Sequence, residues 1–278
     1  MNASASVRSG GIEVKRAARG PVVEGAARAG FAARGVIYLL VGGLALQIAF
    51  GDQGEEADRR GALGEIAQRP FGAVMLWVLG IGLAGMALWR LSEVVFGAAG
   101  ADGRTAKKRV PSLARAVFYG FVAYSVLALA AGSGDGGGSS DRQSKDVTAR
   151  VLGVTGGQWI VGIAGVGIAV AGLWIGFRAV TRKYHEKLRL GEMSRRTRQL
   201  VDVTGVGGGA ARGLVFAAAG VFAVRAAVEY QPDQAKGLDD TLRSFAHTPV
   251  GPGLLVCVAA GLVLFGLFSF AMARWRKV

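Results

Sequence analysis

The chain has 278 residues, of which 51% are hydrophobic, and its mean hydropathy of +0.38 exceeds what a soluble domain of this length needs to fill its core. Its net charge of +14 would favour nucleic-acid binding in a soluble protein, but its 45 glycines are typical of membrane helices. The single cysteine, Cys257, excludes an intramolecular disulfide and hence a small disulfide-bonded secreted domain.

The first thirty residues mix charged and small residues without the apolar core of a signal peptide, so we expect a disordered cytoplasmic tail over residues 1–26 and no cleaved leader. Beyond this tail, six segments are apolar over the roughly 20 residues that a helix needs to cross the hydrocarbon core. None of the six contains Asp, Glu or His. We therefore predict an all-α membrane protein with six transmembrane helices. In chain order the segments are residues 31–50, 71–91, 112–132, 158–178, 208–228 and 251–273.

Basic residues are distributed unevenly around these segments. Most lie in the two terminal tails and in the connections after the second and fourth segments, whereas the other three connections hold few. Because Lys and Arg collect in cytoplasmic loops, both termini are predicted to be cytoplasmic. The most basic connection, Thr181–Leu200, is expected to attract anionic lipid headgroups, with Leu188, Leu190 and Met193 dipping into the interface, and nucleic acid is not an expected partner. On the opposite side, two short segments are candidates for interfacial helices, residues 61–69 and 238–246.

The chain repeats itself three times. Each odd-numbered segment starts with an arginine that an aromatic residue follows four positions later, in "ARGVIYLLVG" (Arg34, Tyr38), "ARAVFYGFVA" (Arg115, Tyr119) and "ARGLVFAAAG" (Arg212, Phe216). The even-numbered segments share two glycines eight residues apart, namely Gly72 and Gly80, Gly157 and Gly165, and Gly253 and Gly261. This self-similarity predicts three helix–loop–helix repeats over residues 27–100, 101–183 and 184–278, the last with the basic linker. Since all three insert in the same direction, we predict three parallel helical hairpins with pseudo-threefold symmetry about the membrane normal.

The repeated residues suggest roles. Near a helix end, an arginine can lay its stem along apolar surface while its guanidinium reaches phosphate. Glycines let helices approach closely where lipid supplies little hydrophobic force, and we expect no large central cavity between them. As interface or lipid-headgroup anchors, with gating as the alternative, we select Arg34, Arg115, Arg212, Tyr38 and Tyr119. As helix-packing residues we select Gly72, Gly80, Gly157, Gly165, Gly172, Gly176, Gly253 and Gly261.

Longer stretches resemble a known family. "ARAGFAARGVIYLLVGGLAL", "LWVLGIGLAGMALWRLSEV" and "GGGAARGLVFAAAGVFAVRAA" are similar to the bacterial membrane proteins grouped as domain of unknown function 1206. The resemblance covers about residues 27–275. It implies a three-repeat, six-helix protein of the bacterial inner (plasma) membrane, with no established activity to transfer. Repeat 2 departs from the pattern at Ala116, where the other two repeats have glycine.

Motifs that carry chemistry are weak. Gly205–Ala210, "GVGGGA", has the spacing of a dinucleotide fingerprint, but a charged linker precedes it where a strand is needed. No nucleophile with a base, carboxylate pair or set of metal ligands is evident, so we expect no enzyme, metal or cofactor. The favoured function is a non-catalytic membrane scaffold or interaction protein, with a homo-oligomer or a membrane-protein partner left open. The alternative is a small-solute or ion permease with an outer-leaflet vestibule near Gln47 and Arg225, which lie thirteen positions after Arg34 and Arg212.

Overall fold

The structure, a computed structural model, describes residues 21–50, 57, 59–68, 71–96, 106–132, 140–246, 248 and 251–277. Residues 1–20 of the predicted tail lie outside this described part. The described residues form nine α-helices. These are α1 (Pro21–Ala49), α2 (Arg59–Ala67), α3 (Gly72–Phe96), α4 (Ala106–Ala130), α5 (Ser140–Leu152), α6 (Gly157–Val180), α7 (Arg195–Val228), α8 (Leu238–Ala246) and α9 (Gly251–Trp275).

Six helices, α1, α3, α4, α6, α7 and α9, are long and apolar enough to cross a membrane, and the described residues contain no β-strand. This confirms the predicted all-α fold with six membrane-spanning helices. Three helices start at least six residues earlier than predicted, α1 at Pro21, α4 at Ala106 and α7 at Arg195. Proline suits a first helical position because its φ is fixed, and the Ser194 hydroxyl caps α7 by accepting the Thr197 N–H at 3.2 Å. Consequently the "GVGGGA" stretch lies inside α7 and forms no phosphate-binding loop.

A short helix follows the first spanning helix of each repeat, so the order long–short–long occurs three times. Two of the short helices were predicted, and α8 has the expected bounds while α2 starts two residues earlier. The third, α5, was missed because the glycine- and serine-rich run before it favours a flexible loop. Residues 133–139 of that run lie outside the described part. All three short helices lie on the side of the bundle opposite the chain termini, which we call the short-helix side; the other is the termini side.

The spanning helices form an open ring. Close packing joins α4 to α3, α3 to α1, α1 to α9, α9 to α7 and α7 to α6. For the threefold arrangement to close, α4 and α6 of the second repeat would have to pack as α1 packs on α3 and α7 on α9. In the described part of the chain, α4 packs closely on neither α6 nor α7. The ring is therefore open at one seam, inside repeat 2.

Glycines lie at the closed seams. Gly165 and Gly172 of α6 face α7, where a Cβ added to Gly165 would lie 2.8 Å from Val224 N. On other seams, Gly80 faces Leu127 and Gly261 faces Ala211. The remaining selected glycines differ in their surroundings. Gly72 and Gly157 lie against the end of the preceding short helix, the backbone of Gly176 lies against Gly213, and a Cβ on Gly253 would meet nothing within 4 Å.

Candidate functional site

Two of the repeated arginines lie between helices on the termini side. The guanidinium groups of Arg34 and Arg212 lie 5.1 and 5.0 Å from the ring centre of Phe265 on α9. Arg34 Nε also donates a hydrogen bond to the buried Ser269 hydroxyl at 3.1 Å. From their place at the helix starts, these side chains are predicted to be anchors whose guanidinium groups reach the lipid headgroups. The structure instead turns both toward neighbouring helices, because the helix faces that carry them pack on α9.

Two further arginines extend the arrangement. Arg276 lies 4.9 Å from the ring centres of both Phe31 and Trp89, and Arg90 lies 4.1 Å from that of Trp89. Arg34 also lies 4.9 Å from Phe31, so arginine and aromatic side chains alternate through the interior. These residues come from four helices and the C-terminal residues. Their order in space is Arg212, Phe265, Arg34, Phe31, Arg276, Trp89 and Arg90. Each cation–π contact contributes about 0.5–2 kcal/mol, which offsets part of the cost of burying these cations but cancels no charge.

The third repeat arginine joins from α4. Arg115 interacts electrostatically with Arg90 and Arg212, and the Tyr119 hydroxyl one turn further interacts with Arg34 and Arg212. Tyr38 packs edge-on against Phe265 at 4.7 Å and lies 5.8 Å from the Arg212 guanidinium. The three repeats thus bring equivalent arginines into one group. We call Arg34, Arg90, Arg115, Arg212 and Arg276 the arginine cluster.

The arginine cluster carries more positive charge than its surroundings balance. Its carboxylate partner within the described residues is Glu93, which accepts hydrogen bonds from Arg90 Nη1 at 2.7 Å and the Ser112 hydroxyl at 3.1 Å. Arg90 and Arg276 are only 6% and 8% exposed. The Nε atoms of Arg90, Arg212 and Arg276 are buried without a hydrogen-bond partner in the described structure. Buried polar groups are normally satisfied, so these donors indicate a missing acceptor.

The crowding of cations lowers the pKa of basic groups in and beside the cluster. Burial lowers the pKa of Arg276 to about 9, and the neighbouring Arg90 adds to the effect. Partial desolvation, together with Arg276 and Arg178, lowers the pKa of Lys187 to about 8. Both shifts mean that the charged form of each group is less stable here than in water, an effect that a nearby anion would reverse.

The linker between α6 and α7 covers the cluster from the termini side. Leu188 is buried against aromatic residues of α1 and α9, so it does not dip into lipid as predicted. Backbone hydrogen bonds from Arg189 N to Trp275 O and from Lys277 N to Lys187 O, each 2.9 Å, fix the linker to the C-terminal residues. Sequence reasoning missed this contact because insertion of Leu188, Leu190 and Met193 into the interface required a helical linker, and short 3₁₀ turns occur there instead.

A second linker contact anchors the start of α7. His185 Nε2 contacts Asp202 Oδ1, and the Tyr184 hydroxyl donates to the same carboxylate oxygen at 3.2 Å. Burial, and then the charge of Asp202, raise the pKa of Tyr184. Asp202 became available as a partner because α7 begins thirteen residues before the predicted span, which places it on the first turns of the helix.

The predicted vestibule residues lie on the short-helix side. Gln47 is exposed on α1, and Arg225 is exposed on α7, where it pairs with Glu229 at 3.1 Å. The helices α1 and α7 do not pack closely against each other. The structure therefore gives these two side chains no shared pocket wall among the described residues, and a vestibule there stays a prediction.

Three carboxylates on the short-helix side lie within 4.8 Å of one another, a spacing that a metal ion could bridge. Each has a protein partner. Asp239 accepts from the Ala57 N–H and from Arg243 Nε, both at 2.7 Å, Asp240 pairs with Lys145 at 2.9 Å, and Asp141 accepts from the Asp240 N–H at 3.2 Å. These bonds tie α5 and α8 together, and the neighbouring Asp240 raises the pKa of Lys145. The group acts as a structural clasp.

Comparison with known proteins agrees with the repeat architecture. A family model described as Domain of Unknown Function (DUF1206) matches three times, over residues 29–97, 110–182 and 207–276. The chain is 30% identical over 260 residues to an uncharacterised protein, YxxB, from Bacillus subtilis (strain 168), which covers 93% of each chain. No solved structure matches. With three matches that together span most of its length, this chain belongs to the DUF1206 family of three-repeat membrane proteins.

Proposed function

We propose that this protein is a non-catalytic membrane protein that binds a phosphate-bearing anion in the arginine cluster, on the cytoplasmic side of a bacterial plasma membrane. One observation carries the proposal: arginines from all three repeats converge on one region, in which Arg90 and Arg276 are buried and Glu93 is the one carboxylate partner among the described residues. Like charges repel most strongly where water is excluded, so such a group is costly unless an anion joins it. The assignment of the termini side to the cytoplasm follows from the excess of basic residues there.

Phosphate fits the donors better than a simple halide does. Guanidinium groups present planar pairs of N–H donors that match phosphate oxygens, and buried arginines are the usual choice for such recognition. Both a phospholipid headgroup and soluble phosphate supply this chemistry at the membrane surface. Glycine seams keep the helices fixed around the cluster, which suits a binding site that holds its donors in place.

The permease reading has less support. It requires a path on the short-helix side near Gln47 and Arg225, yet Arg225 already has Glu229 as an ion-pair partner and both side chains are exposed on separate helices. Scaffolding, by self-association or with another membrane protein, is compatible with anion binding and is kept as part of the proposal. Co-purification would identify such a partner.

The proposal can be tested with purified protein in detergent. Thermal unfolding is followed by size-exclusion chromatography while inorganic phosphate or pyrophosphate is titrated, and, in a second arm, with lipid nanodiscs that contain or lack phosphatidic acid. We expect the anions to raise the unfolding temperature of the wild type, since a ligand of the folded state stabilises it. The Arg34→Gln/Arg212→Gln double variant should bind at least tenfold more weakly, because each lost charge-assisted hydrogen bond is worth about 1.5–3 kcal/mol.

A matched control separates binding from general damage. Arg225→Gln removes an arginine of the same protein on the opposite side and should leave the response to phosphate unchanged. Without anion, the double variant should unfold at the same or a higher temperature than the wild type, because repulsion within the cluster is relieved. An equal response of wild type and double variant to every phosphate probe would contradict the proposal.

A further inference from the structure

A groove lies at the open seam of the ring, between helices that do not pack closely. Its volume is about 540 Å³, within the range of about 300–1,000 Å³ that is usual for small-ligand sites. From α4 one residue, Phe118, lines the groove, while α6 and α7 form its main walls with Ala164, Ile168 and Ala219 among the lining residues, and the short helix α5 covers one end. Apolar side chains line most of it. Because it lies where two spanning helices fail to meet, the groove opens to the hydrocarbon of the bilayer.

The groove ends next to the arginine cluster. Phe118 and Phe216 line its end toward the termini side. Arg115 lies three residues before Phe118 and Arg212 four residues before Phe216, so each arginine lies one helical turn beyond a lining ring on the same helix face. The Arg212 guanidinium is 5.1 Å from the Phe216 ring centre. One cluster arginine thus lies one turn beyond each of these two walls, and the Arg115 side chain is exposed.

The opposite end of the groove is polar, and its one cation already has a hydrogen-bond partner. Gln143, Ser144 and Lys236 line it near the short helices. The Lys236 ammonium donates to the Ser244 hydroxyl at 2.6 Å and lies 4.3 Å from the ring centre of Phe222. Three buried cationic donors that lack an acceptor, the Nε atoms of Arg90, Arg212 and Arg276, lie at the other end, in the arginine cluster, whereas the unsatisfied group on the short-helix side is the neutral Thr241 hydroxyl. Charge complementarity therefore sets the direction of an amphiphile in the groove, with its anionic group on the termini side.

We infer that the open seam holds one acyl chain of a phospholipid whose phosphate lies in the arginine cluster; this inference rests on the proposed function and names its ligand. In a bilayer, a phospholipid has its phosphate at the level of the arginine cluster and its acyl chains at the level of the apolar groove. Moving a chain from bilayer to groove gains little hydrophobic free energy, since both surroundings are apolar. The phosphate contacts select the lipid, and the chain supplies the van der Waals contacts that α4 and α6 do not make with each other.

The test fills the groove without touching the arginines. Ala164→Phe from α6 and Ala219→Phe from α7 each place a ring in the groove, and Val170→Phe places the same ring on the exposed face of α6 as a control. Native mass spectrometry counts the phospholipids retained after detergent purification, and inorganic phosphate titration measures the cluster alone. We expect about one retained phospholipid in the wild type and in Val170→Phe. The two groove variants should retain at least tenfold less lipid while responding to inorganic phosphate as the wild type does.

Each other result has a definite meaning. If the groove variants retain lipid as the wild type does, the acyl chain lies elsewhere and the inference is overturned, although the cluster can still bind phosphate. If Val170→Phe loses lipid as well, retention is not specific to the groove and the inference also falls. A change of oligomeric state in the groove variants without loss of lipid would mean that a second copy covers the seam. Loss of the phosphate response in the wild type itself would instead overturn the proposed function.

A measurement on the wild type alone covers the case in which filling variants fail to fold. Glycerol 3-phosphate and phosphatidic acids with two hexanoyl or two octanoyl chains are compared as ligands of protein in amphipol. Affinity should rise by up to about fourfold per CH₂ group, which corresponds to about 0.8 kcal/mol for each group removed from water. Equal affinity of all three probes would overturn the inference and leave phosphate binding intact.

Discussion

Replacing Gly172 with alanine tests whether the ring is held together by close backbone approach. Gly172 is buried on α6 where this helix crosses α7. A Cβ added there would contact Ala217 N and lie 2.7 Å from Gly213 O and 2.8 Å from Phe216 C. All three are backbone atoms of one helix, so no side-chain rotation can relieve the clash. The helices must move apart, and the contacts along the seam weaken with them.

The size of the effect follows from two opposing terms. Overpacking a fixed contact costs about 1–3 kcal/mol, whereas exchanging glycine for alanine inside a helix gains about 0.5–1 kcal/mol. Gly167, five residues earlier on α6, isolates the second term because it is exposed and a Cβ there would meet nothing within 4 Å. We expect Gly172→Ala to destabilise the protein and Gly167→Ala to leave it unchanged or slightly more stable.

Thermal unfolding in one detergent, followed by size-exclusion chromatography, compares the two variants with the wild type. The gain in helix propensity is common to both variants, so at about 2–4 °C per kcal/mol for a chain of this order the overpacking cost should make Gly172→Ala unfold roughly 2–12 °C below Gly167→Ala. Equal unfolding temperatures would show that the α6–α7 crossing tolerates a Cβ. In that case the seam is looser than the structure implies, and packing by small residues does not account for the ring.

Two further predictions concern the termini side. The pKa of Lys187 is about 8 in the folded protein and lies below that of an unfolded lysine, so folding releases its proton, and the anion-free protein should become more stable as pH rises from 7 through 8 toward about 10. Phosphate binding should weaken over the same rise, and Lys187→Gln should flatten both dependences in unfolding and titration experiments. For orientation, Gly191→Cys and Gln231→Cys are introduced separately with Cys257→Ser. A membrane-impermeant maleimide should label intact cells at position 231 and reach position 191 only after permeabilisation, and the reverse pattern would place the termini outside.

Much of the fold could be predicted because lipid leaves a helix few alternatives. Every backbone group must be satisfied within the hydrocarbon, so apolar length alone locates the spanning helices. Because all three repeats insert in the same direction, the repeat then predicts which spanning helices run parallel to one another. The helix α5 escaped prediction because its own residues, Ser140–Leu152, are polar and follow a glycine-rich run, and tertiary bonds such as that from Asp141 to the backbone of α8 decide its position.

The sequence predicted some members of the arginine cluster but not that they meet. Spacing located Arg34, Arg115 and Arg212 at equivalent points of three repeats, but it did not reveal which way each helix is rotated, and an interfacial position was equally compatible with the pattern. The signal that could have found the cluster was the repeat itself, since equivalent positions around one axis meet if they face it. Arg90 and Arg276 have no counterpart in the repeat pattern, and the contact of both with Trp89 depends on how α3 meets the C-terminal residues.

Anion binding and the open seam explain each other. Five of the six contacts that would close the ring are made by helices packed side by side, and at the sixth, in repeat 2, the described helices do not pack closely. Arg115 of α4 and Arg212 of α7 lie on the two sides of that gap and repel each other. An anion between them changes the sign of this interaction and ties α4 to α7 without any helix packing. Loss of the anion should therefore loosen α4 before any other spanning helix, which hydrogen exchange with and without phosphate can measure as a faster rate confined to α4.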